Sequence, residues 1–181
     1  MARVSPILIV AIDPADHALL APLIRPLSGT FGADVDVAKG MSLDGSFALN
    51  VSRNQYASTS LITALLERFE DFNGKILGVT SGDLFVPVLT YVFGEAQLDG
   101  KVAVVSSHRL RDDFYGLEPD PSLLRLRFLK ESVHELGHAF GLLHCHDYLC
   151  VMHSSTGVEE IDIKTEKLCT ECQTRLASSV R

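Results

Sequence analysis

The chain contains no tryptophan, no cysteine before residue 145 and no long apolar run. With the first 144 residues free of cysteine, most of the fold must be held by a buried apolar core rather than by disulfides. The longest apolar stretches, such as residues 6–12, fall far short of the ~20 residues that a membrane helix needs. Positive charge is also scarce. Sixteen basic against 23 acidic residues leave a net charge of −7, which argues against a general nucleic-acid or anionic-membrane surface. Met1-Ala2-Arg3 precedes only about nine weakly apolar residues, broken by Pro6 and followed by Asp13-Pro14 without a small-residue cleavage site. No leader peptide is therefore expected, and the cytoplasm is the expected compartment. Strand-like sequence begins within the first seven residues, so no pro-segment is expected either.

What is present suits one soluble domain: 181 residues, 46% apolar and 22% charged, without repeats or low-complexity stretches. Residues 7–12 and 75–80 read as buried strands, with shorter strands at 35–39 and 47–51. Residues 16–27 have helical spacing interrupted by Pro22 and Pro26. Ser58 or Thr59 is placed to cap a helix carrying Leu61, Leu65, Leu66 and Phe69, with Asn73-Gly74 to end it. Leu98-Asp99-Gly100 predicts a hairpin between residues 91–97 and 101–107. Asp120-Pro121 announces a helix with a core stripe of Leu129, Val133, Leu136 and Phe140. A last helix is expected to start near residues 162–165, and the loop over 112–121 is a candidate lid.

The chemistry concentrates in His134-Glu135-Leu136-Gly137-His138-Ala139-Phe140-Gly141-Leu142-Leu143-His144-Cys145. Two histidines four apart share one helix face, so both can reach a single Zn²⁺ with Glu135 beside it. His144 follows six residues later, which on an unbroken helix is about 9 Å further along and roughly 120° off that face. Gly141 can end the helix in the left-handed conformation and turn the chain back. Ligand, base, ligand, hinge, ligand reads as a catalytic zinc site.

The four cysteines form two pairs, Cys145 with Cys150 and Cys169 with Cys172. Their spacing resembles two halves of a tetrahedral thiolate site for a structural zinc; disulfide pairing is the alternative reading. Met152 follows the histidine motif at short range, as does the methionine turn beneath three-histidine zinc sites.

The ordered set of the His134-to-Cys145 motif, then Cys150 and Met152, then Cys169 and Cys172, resembles the archaemetzincin family of zinc peptidases. Asp83-Leu84-Phe85-Val86-Pro87, Val92-Phe93-Gly94-Glu95-Ala96 and the segment from Arg109-Leu110 to Tyr115-Gly116 extend the resemblance over most of the chain. The resemblance implies a metzincin fold of α/β (α+β) class, with a twisted mixed sheet and helices in an upper lobe, about residues 1–141. An active-site helix and a small lower lobe, about residues 142–181, complete it. The resemblance also implies two Zn²⁺ ions, one held by His134, His138 and His144 and one by Cys145, Cys150, Cys169 and Cys172. Glu135 would be the general base and Met152 the turn residue.

The expected activity is hydrolysis of peptide bonds, with a peptide or protein as partner, neither nucleic acid nor membrane, and a monomeric state. An edge strand would align the substrate, with Phe93, Gly94, Glu95 and Ala96 as the candidate. Tyr148, Tyr115 and His153 are candidates for stabilising the oxyanion; His146 reads as a surface residue, and His17 and His108 carry no motif. Two other readings compete. One is a non-catalytic, zinc-stabilised peptide-binding module, for which Glu135 would be superfluous. The other is a four-cysteine element docking nucleic acid, which the acidic balance disfavours.

Overall fold

Side chains of the long strands alternate between two apolar cores, and that alternation organises the molecule. The fold is described by a computed structural model covering residues 4–179. Met1-Ala2-Arg3, used above in the reading of the chain's start, lies outside the described residues. In chain order the elements are β1 (Ile7–Asp13), α1 (Ile24–Phe31), β2 (Val35–Val37), β3 (Leu43–Asp44), β4 (Leu49–Asn50), β5 (Gln55–Ala57) and α2 (Ser58–Arg68). There follow β6 (Lys75–Thr80), β7 (Leu84–Phe85), β8 (Gly94–Ala96), β9 (Val102–Ser106), α3 (Pro121–Ala139), α4 (Val158–Ile163) and α5 (Thr170–Ser179).

The main sheet runs β2-β1-β6-β9-β8, with β3 pairing alongside β1. β1, β2, β6 and β9 are parallel, whereas β8 returns antiparallel on β9 through the expected hairpin, pairing Gly94 with Val105 and Ala96 with Ala103. Ile7, Ile9, Ala11, Leu77, Val79, Ala103 and Val105 face one core; Val10, Ile12, Ile76, Val102 and Val104 face the other. A strand buried on both faces reads as a continuous apolar run, which is why β1 and β6 stand out in the sequence. α2 covers the second core with Leu61 and Leu65, while α1 and α3 cover the first. Each of these fully buried aliphatic side chains contributes roughly 1.5–3 kcal/mol by leaving water.

Several local expectations need correction. Residues 16–27 do not form one helix: two 3-10 turns, His17–Leu19 and Ala21–Leu23, precede α1, which runs on to Phe31. Pro22 sits in the second turn, and Pro26 falls in the first turn of α1, where an N–H has no intrahelical partner. Over residues 47–51 only Leu49 and Asn50 are strand, because a 3-10 turn (Ser46–Ala48) leaves Phe47 and Val51 exposed. Neither Ser58 nor Thr59 caps α2; the cap position is Ala57, and both hydroxyls donate to the Glu95 carboxylate instead, at 2.5 and 2.9 Å. α2 stops at Arg68, ahead of Asn73-Gly74. The last helix does not start near 162–165. α4 ends there, and the intervening chain is engaged by the Cys150 loop: Thr165 N–H donates to Leu149 O at 2.9 Å and Val151 N–H to Lys167 O at 3.0 Å.

α3 begins as anticipated, with Asp120 Oδ1 accepting from the N–H groups of Ser122 and Leu123 and Pro121 at the first helical position. No described helix is long and apolar enough to cross a membrane.

Candidate active site

α3 stops where the motif demands. Gly141 adopts φ +88°, and Leu142 N–H reaches back to Gly137 O at 2.9 Å, closing the last turn. Lys75 Nζ donates to Ala139 O at 2.8 Å, so one of the carbonyls left open at the helix end also finds a partner. The chain then reverses and brings His144 beside His134 and His138, ring centroids 5.3 and 4.8 Å away.

The ring nitrogens are sorted by backbone partners. His134 Nδ1 lies 2.8 Å from Val151 O and His138 Nδ1 lies 2.7 Å from Leu142 O. A carbonyl can only accept, so each Nδ1 carries the proton and each Nε2 presents a lone pair. Those two Nε2 atoms are 3.1 Å apart. Two lone pairs at that distance repel unless a cation lies between them, so the donor set fits a metal ion. One ligand atom from each of the three histidines lies within 4.8 Å of the others. Burial holds all three imidazoles below their ordinary pKa, His134 well below, with Lys164 adding to the effect. The neutral, metal-binding form is thus favoured.

Glu135 is buried, and burial drives its carboxyl well above the usual range; Glu131 pushes the same way and Lys164 opposes. A dication among the imidazoles would favour the charged form. Gly94 gives this carboxylate its room. A Cβ at Gly94 would stand 2.6 Å from Glu135 Cγ and 2.6 Å from Val104 O, so the edge strand lies against the helix only because the side chain is missing. Met152 is fully buried beneath α3, and its Sδ fills the space that a Cβ on Gly137 would need.

The second cluster gathers Cys145, Cys150, Cys169 and Cys172, all free thiols. Cys145 and Cys169 sulfurs are 3.7 Å apart and those of Cys150 and Cys172 are 3.8 Å apart. A disulfide needs about 2.05 Å. Four sulfurs placed about 2.3 Å from a tetrahedral zinc are about 3.8 Å from each other, so the spacing suits the zinc reading and not the disulfide alternative. Burial pushes the Cys150 and Cys172 thiols up, whereas the Cys172 N–H draws Cys169 down.

Phe93 and Gly94 line a cleft of about 390 Å³ with His134, Glu135 and His144, but Glu95 does not, its carboxylate being bound by Ser58 and Thr59 on the α2 side. The register leaves the N–H and C=O of Gly94 and Ala96 pointing away from β9, because Phe93 O and Gln97 N bond across to Ser106 and Val102. Val92 N–H is taken by Leu84 O, so the free edge begins at Gly94.

Among the oxyanion candidates, Tyr115 Oη is committed to Arg109 O at 2.9 Å. Tyr148 and His153 stand together, rings 4.5 Å apart, with His153 Nδ1 at 2.9 Å from Cys145 O. His146 is exposed, as expected. The 112–121 loop is not a lid over the cleft: none of its residues line it, and Asp112 ties the loop to Arg127 at 2.8 Å. Glu131, Ser155 and Thr156 do line the cleft, and Tyr91 Oη donates to Thr156 O across it. No sequence signal pointed to these residues, since none belongs to a spaced motif.

Comparisons with known proteins agree with this geometry. A family model described as peptidase family M54 matches residues 40–178. The archaemetzincin of Methanocaldococcus jannaschii is 45% identical over 130 residues, covering 72% of this chain and 70% of that protein. The archaemetzincin of Pyrococcus abyssi is 38% identical over 179 residues, covering 96% and 95%. Among solved structures, a zinc-dependent peptidase from Methanocorpusculum labreanum superposes with a TM-score of 0.84 at 32% identity, covering 94% of this chain and 99% of that one. An archaemetzincin from Methanopyrus kandleri gives 0.82 at 33% identity, covering 97% and 95%. The chain belongs to peptidase family M54, the archaemetzincins, and is a zinc-dependent peptidase with sites for two zinc ions.

Proposed function

We propose that His134, His138 and His144 hold the catalytic zinc, that Cys145, Cys150, Cys169 and Cys172 hold the structural one, and that Glu135 is the general base. When bound, the catalytic ion supplies Lewis acidity, polarising a peptide carbonyl and acidifying water. Glu135 takes a proton from the attacking water and returns it to the leaving amine nitrogen. The observation that carries this reading is the pairing of two inward-facing Nε2 atoms at 3.1 Å with a buried carboxylate on the next residue. A non-catalytic binding module would have no use for a carboxylate fitted so closely beneath Gly94. Met152 supports the ligand helix from below.

The substrate backbone pairs with the outward N–H and C=O groups of Gly94 and Ala96, within the segment Phe93, Gly94, Glu95 and Ala96. The protein works on peptides or proteins as a single domain. An upper lobe of about residues 1–141 carries every strand among the described residues, and a lower lobe of about 142–181 carries the thiol cluster. Both clusters are complete within one chain, which supports a monomer. Unbonded thiols suit a reducing compartment, which supports the cytoplasm, and the net charge of −7 speaks against a nucleic-acid partner.

The test is a peptide-library digest with zinc-loaded protein and with Glu135→Ala. Cleavage lost in the variant, with zinc content unchanged, is the expected result. Absence of cleavage of any peptide by fully loaded wild type would sink the reading.

A further inference from the structure

Glu131 lies one helical turn before Glu135 and shares its cleft, yet the mechanism does not use it. The residue is 3% exposed. Its Oε1 is held by the Lys164 ammonium at 2.8 Å in a buried ion pair. Lys164 is only 1% exposed, and its Nζ lies 3.3 Å from His153 O. Besides Lys164, no described residue donates to Glu131. Ser155 Oγ, on the opposite wall, is buried without a partner. A carboxylate whose only partner is Lys164 and a hydroxyl without one, both in the wall of one cavity, leave hydrogen-bonding capacity for a ligand that brings donors.

The charge around them says which ligand. Among the described residues no lysine or arginine lines the cleft; its other ionisable side chains are Tyr91, Glu135, His134 and His144. Of the ion pair only Glu131 lines the cleft, so the cavity meets its carboxylate and not the Lys164 ammonium. Leu89, Val92 and Phe93 supply apolar wall for the methylenes of a long cationic side chain. The bond from Tyr91 Oη to Thr156 O, 2.6 Å, ties the two walls together.

We propose that Glu131 is a specificity-determining residue that, with Ser155, receives a lysine or arginine side chain of the peptide substrate near the scissile bond. Lys164 is its positioning residue. The proposal rests on the peptidase reading for calling the ligand a substrate, but the test reads binding and not turnover. Zinc-loaded Glu135→Gln protein is titrated with fluorescent hexapeptides in which lysine, arginine, norleucine or glutamate is moved through each position. At one position lysine and arginine are expected to bind about tenfold more tightly than norleucine, with glutamate weakest and the preference shrinking in high salt.

Adding Glu131→Gln brings the lysine-to-norleucine ratio close to one. Should that variant unfold, Glu131→Gln with Lys164→Met removes both charges, and Ser155→Ala, which touches no ion pair, lowers the ratio by itself. Equal binding of lysine, norleucine and glutamate peptides at every position, no binding of any, or a lysine preference intact in the Glu131 variants would each overturn the proposal. Failure of the wild type to cleave would count against the peptidase reading and leave a measured lysine preference standing.

Discussion

His134 Nδ1 lies 2.8 Å from the carbonyl oxygen of Val151, and Val151 sits between Cys150 and Met152. The same short segment therefore orients His134 of one candidate metal cluster and supplies Cys150 to the other. Cys150 Sγ accepts from Cys169 N–H at 3.3 Å, Val151 N–H donates to Lys167 O at 3.0 Å, and Cys145 N–H donates to Met152 O at 2.9 Å. The carbonyl that fixes the His134 tautomer is held by the strand of chain that the thiols gather.

Loss of one thiol should therefore be felt at the histidines. Cys169→Ser is expected to weaken zinc at the three-histidine site by about 10–100-fold, the size of effect seen when a ligand's hydrogen-bond partner is disturbed. Competition with a chromophoric chelator measures it. Unchanged affinity at that site would separate the two clusters.

Gly94→Ala puts a methyl group 2.6 Å from both Glu135 Cγ and Val104 O. Strand and helix must then part, at a cost of about 1–3 kcal/mol from overpacking. Peptide hydrolysis should fall by at least about tenfold while zinc content stays at the wild-type value, because a displacement near 1 Å can cost about a hundredfold in rate. Wild-type activity in Gly94→Ala would show that the contact does not place the base.

The Glu131–Lys164 pair is buried at both ends, with side chains 4% and 0% exposed. Lys164→Met leaves the Glu131 carboxylate without its cation and is expected to destabilise by about 3–5 kcal/mol. Glu131→Leu combined with Lys164→Met should recover most of that loss. Denaturant unfolding of the three proteins gives the answer, and equal stability of the single and double variants would refute it.

Asp120 caps α3, and the N–H groups of Leu123 and Ser122 hold its carboxyl below the ordinary value of 3.8. A depressed folded pKa means that the stabilisation is complete above the unfolded value and fades as pH falls through the folded one. Asp120→Ala should therefore lower the Tm clearly at pH 7 and much less below pH ~3. Asp120→Asn, which caps without titrating, should lose that pH dependence. Thermal melts across this range test both.

Local rules were readable wherever one residue type had one job. Asp120-Pro121 announced α3, Asp99-Gly100 announced the hairpin, and doubly buried β1 and β6 appeared as unbroken apolar runs. They failed where distant groups competed for the same atoms. Ser58 and Thr59 look like caps, but Glu95, 37 and 36 residues away, takes their hydroxyls. A last helix is expected to start near residues 162–165, but α4 ends there and the Cys150 loop claims the backbone of Thr165 and Lys167.

The sequence by itself determined the candidate chemistry: seven candidate ligands, a proposed base between the first two, a glycine to turn the chain and a methionine after the motif. Spacing along one helix and residue type are enough for that, because ligand identity and the 3.6-residue period are local properties. Only the tertiary structure decided what surrounds the proposed catalytic zinc site. The Val151 carbonyl on His134, the strand edge freed at Gly94 and the meeting of Glu131 and Ser155 in the cleft all join segments far apart in the chain. Such contacts follow from which surfaces pack together, and no spacing in the sequence encodes them.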